Sequence, residues 1–164
     1  MMKRVLVIGP SGAGKSEFSR RLREKTGLPL FHLDNVWWKE DKTHITREEF
    51  DVKLAELISK DEWILDGDYS RTYEVRFKAA DTVFFLDYPL EVCLAGVAGR
   101  IGTKREDIPW VEDEFDPDFK EWIINWRESK LPLITALFEK YKAEKNVIIF
   151  KSRSEADNFL DNLI

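Results

Sequence analysis

Lys3-Arg4-Val5-Leu6-Val7-Ile8-Gly9-Pro10-Ser11-Gly12-Ala13-Gly14-Lys15-Ser16 is the stretch that decides the fold. Lys3–Ile8 reads as a buried strand, a continuous apolar run stopped by Gly9. Gly9–Ser16 has the spacing G-x-x-x-x-G-K-S, and a helical pattern follows at once over Gly14–Lys25, with Phe18 and Leu22 four apart. Strand, glycine-rich turn and helix are the context a phosphate-binding loop requires. Gly12 and Gly14 let the backbone curl so that successive N–H groups point inward at phosphate oxygens. The helix start adds partial positive charge. Lys15 suits the β- and γ-phosphates, and the Ser16 hydroxyl suits Mg²⁺. Gly9, Pro10, Ser11, Gly12, Ala13, Gly14, Lys15 and Ser16 are therefore the candidate site for ATP with Mg²⁺.

Outward from this loop, short apolar runs alternate with longer helical patterns. Gly27 ends the first helix, and Leu30–Leu33 is a second strand. Thr46–Lys60 is a helix opened by a Thr46/Glu49 capping box with Ile45 stapled on Phe50, its inner face Phe50, Leu54, Leu57 and Ile58. Trp63–Leu65 and Thr82–Leu86 are the next strands. Pro89 opens a helix carrying Leu90, Leu94 and Val97. Gly99–Phe115 has no periodicity and reads as a long loop, of a length that is usually functional or disordered in a compact domain. Asp116-Pro117 opens a helix with Phe119, Trp122, Ile123 and Trp126 inward. A separate stripe after Pro132 has Leu133, Leu137, Phe138 and Tyr141. Val147–Phe150 is a fifth strand, and Ser152 with Glu155 caps a last helix carrying Phe159, Leu160 and Leu163. Five strands separated by helices predict an α/β fold: a three-layer parallel sheet with helices on both faces and ligands at the carboxyl ends of the strands.

The length of 164 residues predicts one domain, Met1–Ile164, able to bury roughly 70% of its unfolded surface without a metal or disulfide. No apolar run approaches the ~20 residues of a membrane span, and the run at Val5–Ile8 is too short for a signal peptide. The one cysteine, Cys93, excludes an internal disulfide and a cysteine-cluster metal site, which fits a reducing cytoplasm. The net charge of −5, from 26 basic and 31 acidic residues, weighs against direct DNA binding.

A nucleotide loop needs a carboxylate for Mg²⁺ at the end of a nearby strand. Asp66 and Asp87 both qualify, and pattern does not choose between them. Asp34 ends the second strand, on the same side as the loop, where it can orient an acceptor hydroxyl or take its proton. Trp37 and Trp38 offer stacking or packing surfaces, and His32 reads as a hydrogen-bonded core residue. Arginines neutralise a transferring phosphate. Arg71 and Arg76 follow the third strand, Arg100 and Arg105 flank the entry to the long loop, and Arg127 follows it.

Gly9–Ser16, Phe31–Trp38, Trp63–Arg71 and Asp81–Pro89 together resemble the P-loop proteins known as DNA topology modulation proteins, within the adenylate-kinase-like group of P-loop kinases. The most specific parts are Leu33-Asp34-Asn35-Val36-Trp37-Trp38 and Asp66-Gly67-Asp68-Tyr69. The resemblance implies sheet order 2-3-1-4-5, which puts the third strand beside the loop strand and favours Asp66 for the metal. It also implies that 99–115 is a closing lid and 34–60 the acceptor-binding region. The helix Cys93–Arg100 departs from the family in carrying little arginine beyond Arg100.

These observations predict ATP- and Mg²⁺-dependent phosphoryl transfer to a small molecule, a nucleotide, nucleoside or hydroxylated metabolite. Lys15, Asp34, Arg71, Arg76, Arg100 and Arg127 are the candidate catalytic residues, and Ser16, Asp66 and Asp87 the candidate metal residues. The rival class is a non-enzymatic ATP-binding regulator acting through DNA or a protein partner. A GTPase is disfavoured because Asn-Lys-x-Asp is absent from the chain.

Overall fold

The computed structural model describes Met1–Ile164. The five strands are β1 (Arg4–Ile8), β2 (Leu30–His32), β3 (Trp63–Asp66), β4 (Thr82–Leu86) and β5 (Asn146–Phe150). They form one sheet in the order β2-β3-β1-β4-β5, and all four pairings are parallel. The register sets Val7 against Asp66 and Ile8 against Phe85. The end of β1 is thus flanked by the ends of β3 and β4, and β2 lies two places away.

Alternation along the strands divides the interior into two cores. Leu6, Ile8, Trp63, Leu65, Val83 and Phe85 point to one face. There they meet Phe50 and Leu54 of α3 (Arg47–Ile58), Tyr73 and Phe77 of α4 (Tyr73–Ala79), and one side of α6 (Pro117–Tyr141). Val5, Val7, Ile64, Phe84 and Leu86 point to the other face. They meet α1 (Lys15–Thr26), α5 (Leu90–Arg100) and α7 (Arg153–Asp161) through Phe18, Leu22, Val97 and Leu160. The caps are formed as the sequence predicts. The Glu49 amide donates to Thr46 Oγ1 at 3.1 Å, and the Glu155 amide to Ser152 Oγ at 3.2 Å.

Four local expectations are corrected. Pro132 does not separate two helices: α6 is continuous over 25 residues with Pro132 inside it. An interior proline costs a helix ~3 kcal/mol. Ile123, Trp126, Ile134, Leu137 and Tyr141 are all buried on one stripe, each worth roughly 1.5–3 kcal/mol, so packing outweighs the break. The inward residue after Pro132 is Ile134, while Leu133 is 48% exposed and Trp122 38%. Leu33 leaves the second strand to open a five-residue helix, α2 (Leu33–Trp37), which places Asp34 in its first turn and not at a strand end. Helix α4 was not legible, because its buried face includes a charged residue, Arg76. Finally, α5 runs through Arg100, so the irregular segment starts at Ile101.

Candidate active site

The turn from β1 into α1 has the conformation its glycines allow. Gly12 has φ +82° and Gly14 φ +92°, both left-handed. Gly12 is also needed for space: a Cβ there would lie 1.9 Å from the Cys93 carbonyl oxygen of α5. Gly96 on α5 is its counterpart, since a Cβ there would lie 2.1 Å from the Gly12 carbonyl oxygen. Gly14 caps α1 with no side chain accepting from the first amides. Those N–H groups stay open to an anion, as a nucleotide phosphate requires.

Lys15 turns back over the loop, its Nζ donating to the carbonyls of Gly9 at 2.9 Å and Pro10 at 3.0 Å. Burial holds its ammonium below the usual lysine range, against the opposing pull of Asp68, Asp34 and Asp66. Arg153, which sequence reasoning did not single out, braces the loop from α7. It donates to the carbonyls of Gly12 at 3.0 Å and Ala13 at 3.3 Å and lies over the Tyr88 ring. Its separation of about 140 residues from the loop left no local signal.

Both metal candidates flank the loop strand, and both are ion-paired. Asp66 accepts from His32 Nδ1 at 2.8 and 2.9 Å. Asp87 accepts from Arg127 and Lys151. Burial works to raise the Asp87 pKa, and the two cations hold it below the usual range. ATP fits the open amides of the loop. Mg²⁺ fits Ser16 with one of these carboxylates, since this ion keeps several waters and takes its remaining ligands from phosphates. No group of three or more His, Cys, Asp or Glu side chains forms a self-sufficient metal cage.

Asp34 Oδ1 accepts from the Tyr69 hydroxyl at 2.6 Å, and burial raises its pKa above the usual range. It caps no helix amide, since α2 has no side-chain cap at its start. Tyr69 sits at φ +45°, a strained position for a residue with a side chain, and so aims its ring at α2. Asp68 Oδ1 accepts from the Trp126 indole at 3.1 Å and from the Tyr73 hydroxyl. The stretch Asp66-Gly67-Asp68-Tyr69 thus supplies three contacts around the cleft, of which sequence reasoning used only Asp66.

His32 bonds to two carboxylates. Nδ1 meets Asp66 and Nε2 meets Glu106 Oε2 at 2.7 Å. Burial opposes its charge, but hydrogen bonds and charge from Asp66 and then Glu106 prevail, lifting its pKa to about 9. Glu106 belongs to the segment after α5. Its carbonyl also accepts from Asn35 Nδ2 at 2.7 Å, so the segment lies across α2. Trp110 meets Trp38 edge-on at 5.3 Å, and Trp37 is stacked on His44 at 4.3 Å. Trp37 is therefore a packing residue.

The arginines divide. Arg100 comes closest to the expected role: its charge acts on Lys15, and its buried Nε has no hydrogen-bond acceptor although Glu112 Oε1 lies 3.2 Å away. Arg105 is held by Asp107 at 2.6 Å and by Glu112. Arg127 belongs to the Asp87 pair at the other side of the loop. Two expectations are corrected. Arg71 points to the surface and pairs with Asp51 at 2.8 and 3.1 Å. Arg76 is fully buried and donates to Thr72 Oγ1 at 3.0 Å and to the carbonyls of Gly67, Asp68 and Tyr69. Four of its five N–H donors are used in this way, and full burial keeps the group from substrate.

A parallel five-stranded sheet in this order, with a phosphate-type loop after its central strand, is the fold of P-loop kinases. Across 98% of the chain it matches the solved structure of shikimate kinase from Acinetobacter baumannii in complex with shikimate, at TM-score 0.64, 18% identity and 90% coverage of that chain. In sequence the chain is similar to an adenylate kinase from Thermotoga neapolitana, 31% identical over 98 residues, covering 58% of this chain and 44% of the relative. It is also similar to a shikimate kinase from Leptospira borgpetersenii, 26% identical over 109 residues, covering 66% and 54%. The chain thus spans about half the length of these relatives. No protein-family model matches it. No helix is long and apolar enough to cross a membrane.

Proposed function

We propose that this protein is an ATP- and Mg²⁺-dependent kinase of a small hydroxylated molecule. One observation carries the reading: an open-amide phosphate loop with Lys15 shares the carboxyl end of the sheet with the first turn of α2, where Asp34 has no ion-pair partner and can serve as a base. Mg²⁺, when bound with ATP, would neutralise phosphate charge, with Ser16 and Asp66 or Asp87 as its protein-side residues. Lys15 leaves the Gly9 and Pro10 carbonyls for the donor phosphates, and Arg100 approaches from the end of α5. Asp34 holds the acceptor hydroxyl. As the acceptor oxygen bonds to the γ-phosphorus, the bond to the β–γ bridging oxygen breaks and ADP leaves with that electron pair. The acceptor proton passes to the Asp34 carboxylate. Catalysis is then positioning and charge neutralisation.

The sequence relatives support this class, since both are kinases by name. They lend nothing to a non-enzymatic regulator. The resemblance to DNA topology modulation proteins names a cellular effect and is compatible with a kinase. The segment 101–116 would act as the lid and 34–60 as the acceptor region of one domain. The test is calorimetry of ATP·Mg²⁺ binding to wild type and Lys15→Ala. The variant should lose measurable affinity with its fold intact, and any residual turnover should fall by about 10²–10³. Wild-type affinity in Lys15→Ala would refute the reading.

A further inference from the structure

His32 joins two parts of the molecule that the sequence keeps far apart. It ends β2, where the parallel register sets it against Asp66 at the end of β3. The two main chains approach closely there. A Cβ at Gly67, the residue after Asp66, would lie 2.9 Å from the Cβ of Leu33, the residue after His32. Side-chain torsions are the freedom left to the pair. His32 Nδ1 lies 2.9 and 2.8 Å from the two Asp66 oxygens, and no other side chain bonds to that carboxylate. From the opposite edge of the ring, Nε2 lies 2.7 Å from Oε2 of Glu106, in the segment after α5. The His32 and Asp66 side chains are 5% and 6% exposed, so this chain of bonds runs from the segment into the interior. The other metal candidate has no such link: Asp87 is held by Arg127 and Lys151, both outside the segment.

We infer that Glu106 is a positioning residue: through His32 it orients the Asp66 carboxylate, so that seating of the segment 101–116 and setting of the metal-side carboxylate are one event. The inference rests on the phosphoryl-transfer reading and deepens it, since it makes Asp66 the carboxylate that the segment controls. Imidazole is a rigid plane, so a bond that pins Nε2 also fixes the direction in which Nδ1 meets its partner. Outer partners of this kind orient the groups that hold a metal. Without Glu106 the ring is free to turn about its Cβ–Cγ bond, and Asp66 loses the fixed direction of its donor. Glu106 is itself steered onto the ring. Asn35 Nδ2 donates to its carbonyl at 2.7 Å, and Arg23 meets its other carboxylate oxygen at 3.1 Å. The Arg23 pair lies at the surface, where such pairs contribute little. The bond to His32 is the one that reaches the interior.

The first test needs no nucleotide. The chain has two histidines, so the His32 ring is readily assigned in an imidazole proton–nitrogen NMR spectrum. Its Nδ1–H should exchange with water about tenfold faster in Glu106→Ala than in wild type, the worth of one charged hydrogen bond. Glu106→Gln keeps an acceptor oxygen and should restore most of the protection. The Glu106 side chain is 42% exposed, so both variants should fold. An Nδ1–H as protected in Glu106→Ala as in wild type overturns the inference. Calorimetry of ATP binding, with Mg²⁺ and with EDTA, gives the second readout. The gain in affinity on adding Mg²⁺ should shrink by about tenfold in Glu106→Ala, as for loss of an outer partner at a metal site. Affinity for Mg²⁺-free ATP should hold. A merely structural tie would lower both affinities alike. That result, or an unchanged gain, overturns the inference and leaves the kinase reading standing. A wild type that binds no ATP under either condition overturns the two together.

Discussion

Arg76 and Asp34 both bond to Tyr69, one to its carbonyl and the other to its hydroxyl, and do opposite work. Arg76 holds the backbone after β3 by its carbonyls, and burial lowers its pKa to about 10. Arg76→Ala would strand those carbonyls in the interior. Losing a buried charged hydrogen-bonding group costs about 3 kcal/mol. At ~2–4 °C per kcal/mol for a chain of this size, the melting temperature should fall by roughly 6–12 °C. An unchanged melting temperature with lost turnover would return Arg76 to the catalytic residues. Asp34→Asn should behave the other way. Its amide oxygen still accepts from Tyr69, so melting temperature and ATP affinity should hold. Transfer to the acceptor should fall by about 10²–10⁴, the usual worth of a general base. Full transfer by Asp34→Asn, once an acceptor is in hand, removes that role.

At the scale of elements, the segment after α5 is tied down by few groups. Glu106 reaches His32 and Arg23, its carbonyl takes Asn35, and Arg105 links Asp107 to Glu112. Two buried residues, Asp107 and Ile108, are its main anchors. Segments held by a few polar ties on little apolar surface open at low free-energy cost. Amide exchange over 101–116 should therefore be fast in the free protein and slow with a non-hydrolysable ATP analogue and Mg²⁺. Equal exchange in both states would make it an ordinary surface loop. Element reading from sequence failed at a related point. Pro132 was a local stop signal, yet α6 ran through it because the inward stripe continued in phase on both sides.

For the whole molecule, the two cores share one sheet. Leu6 and Ile8 serve one face while Val5 and Val7, on the same strand, serve the other. Neither core can be lost without exposing the strands that build its counterpart. Urea unfolding followed by tryptophan fluorescence and by far-ultraviolet circular dichroism should therefore give one coincident transition. Separated midpoints would mean that the faces unfold independently.

The phosphate loop, the five strands and the capped helices were legible because each depends on neighbours in sequence: Gly9 and Gly14 five apart, apolar runs, Thr46 with Glu49. Sheet order required the resemblance as well, and tertiary structure bore it out. The side-chain partners were decided by tertiary structure alone. Arg71, Arg76, Arg100, Arg105 and Arg127 are chemically alike in the sequence, yet one is spent on backbone, one is at the surface and one keeps a buried donor unmatched. His32 with Glu106 and Arg153 with Gly12 join residues 74 and 141 positions apart. A guanidinium bonds to whatever oxygen the folded backbone brings within about 3 Å, and that distance is a property of the packed sheet and helices, which no spacing along the chain encodes.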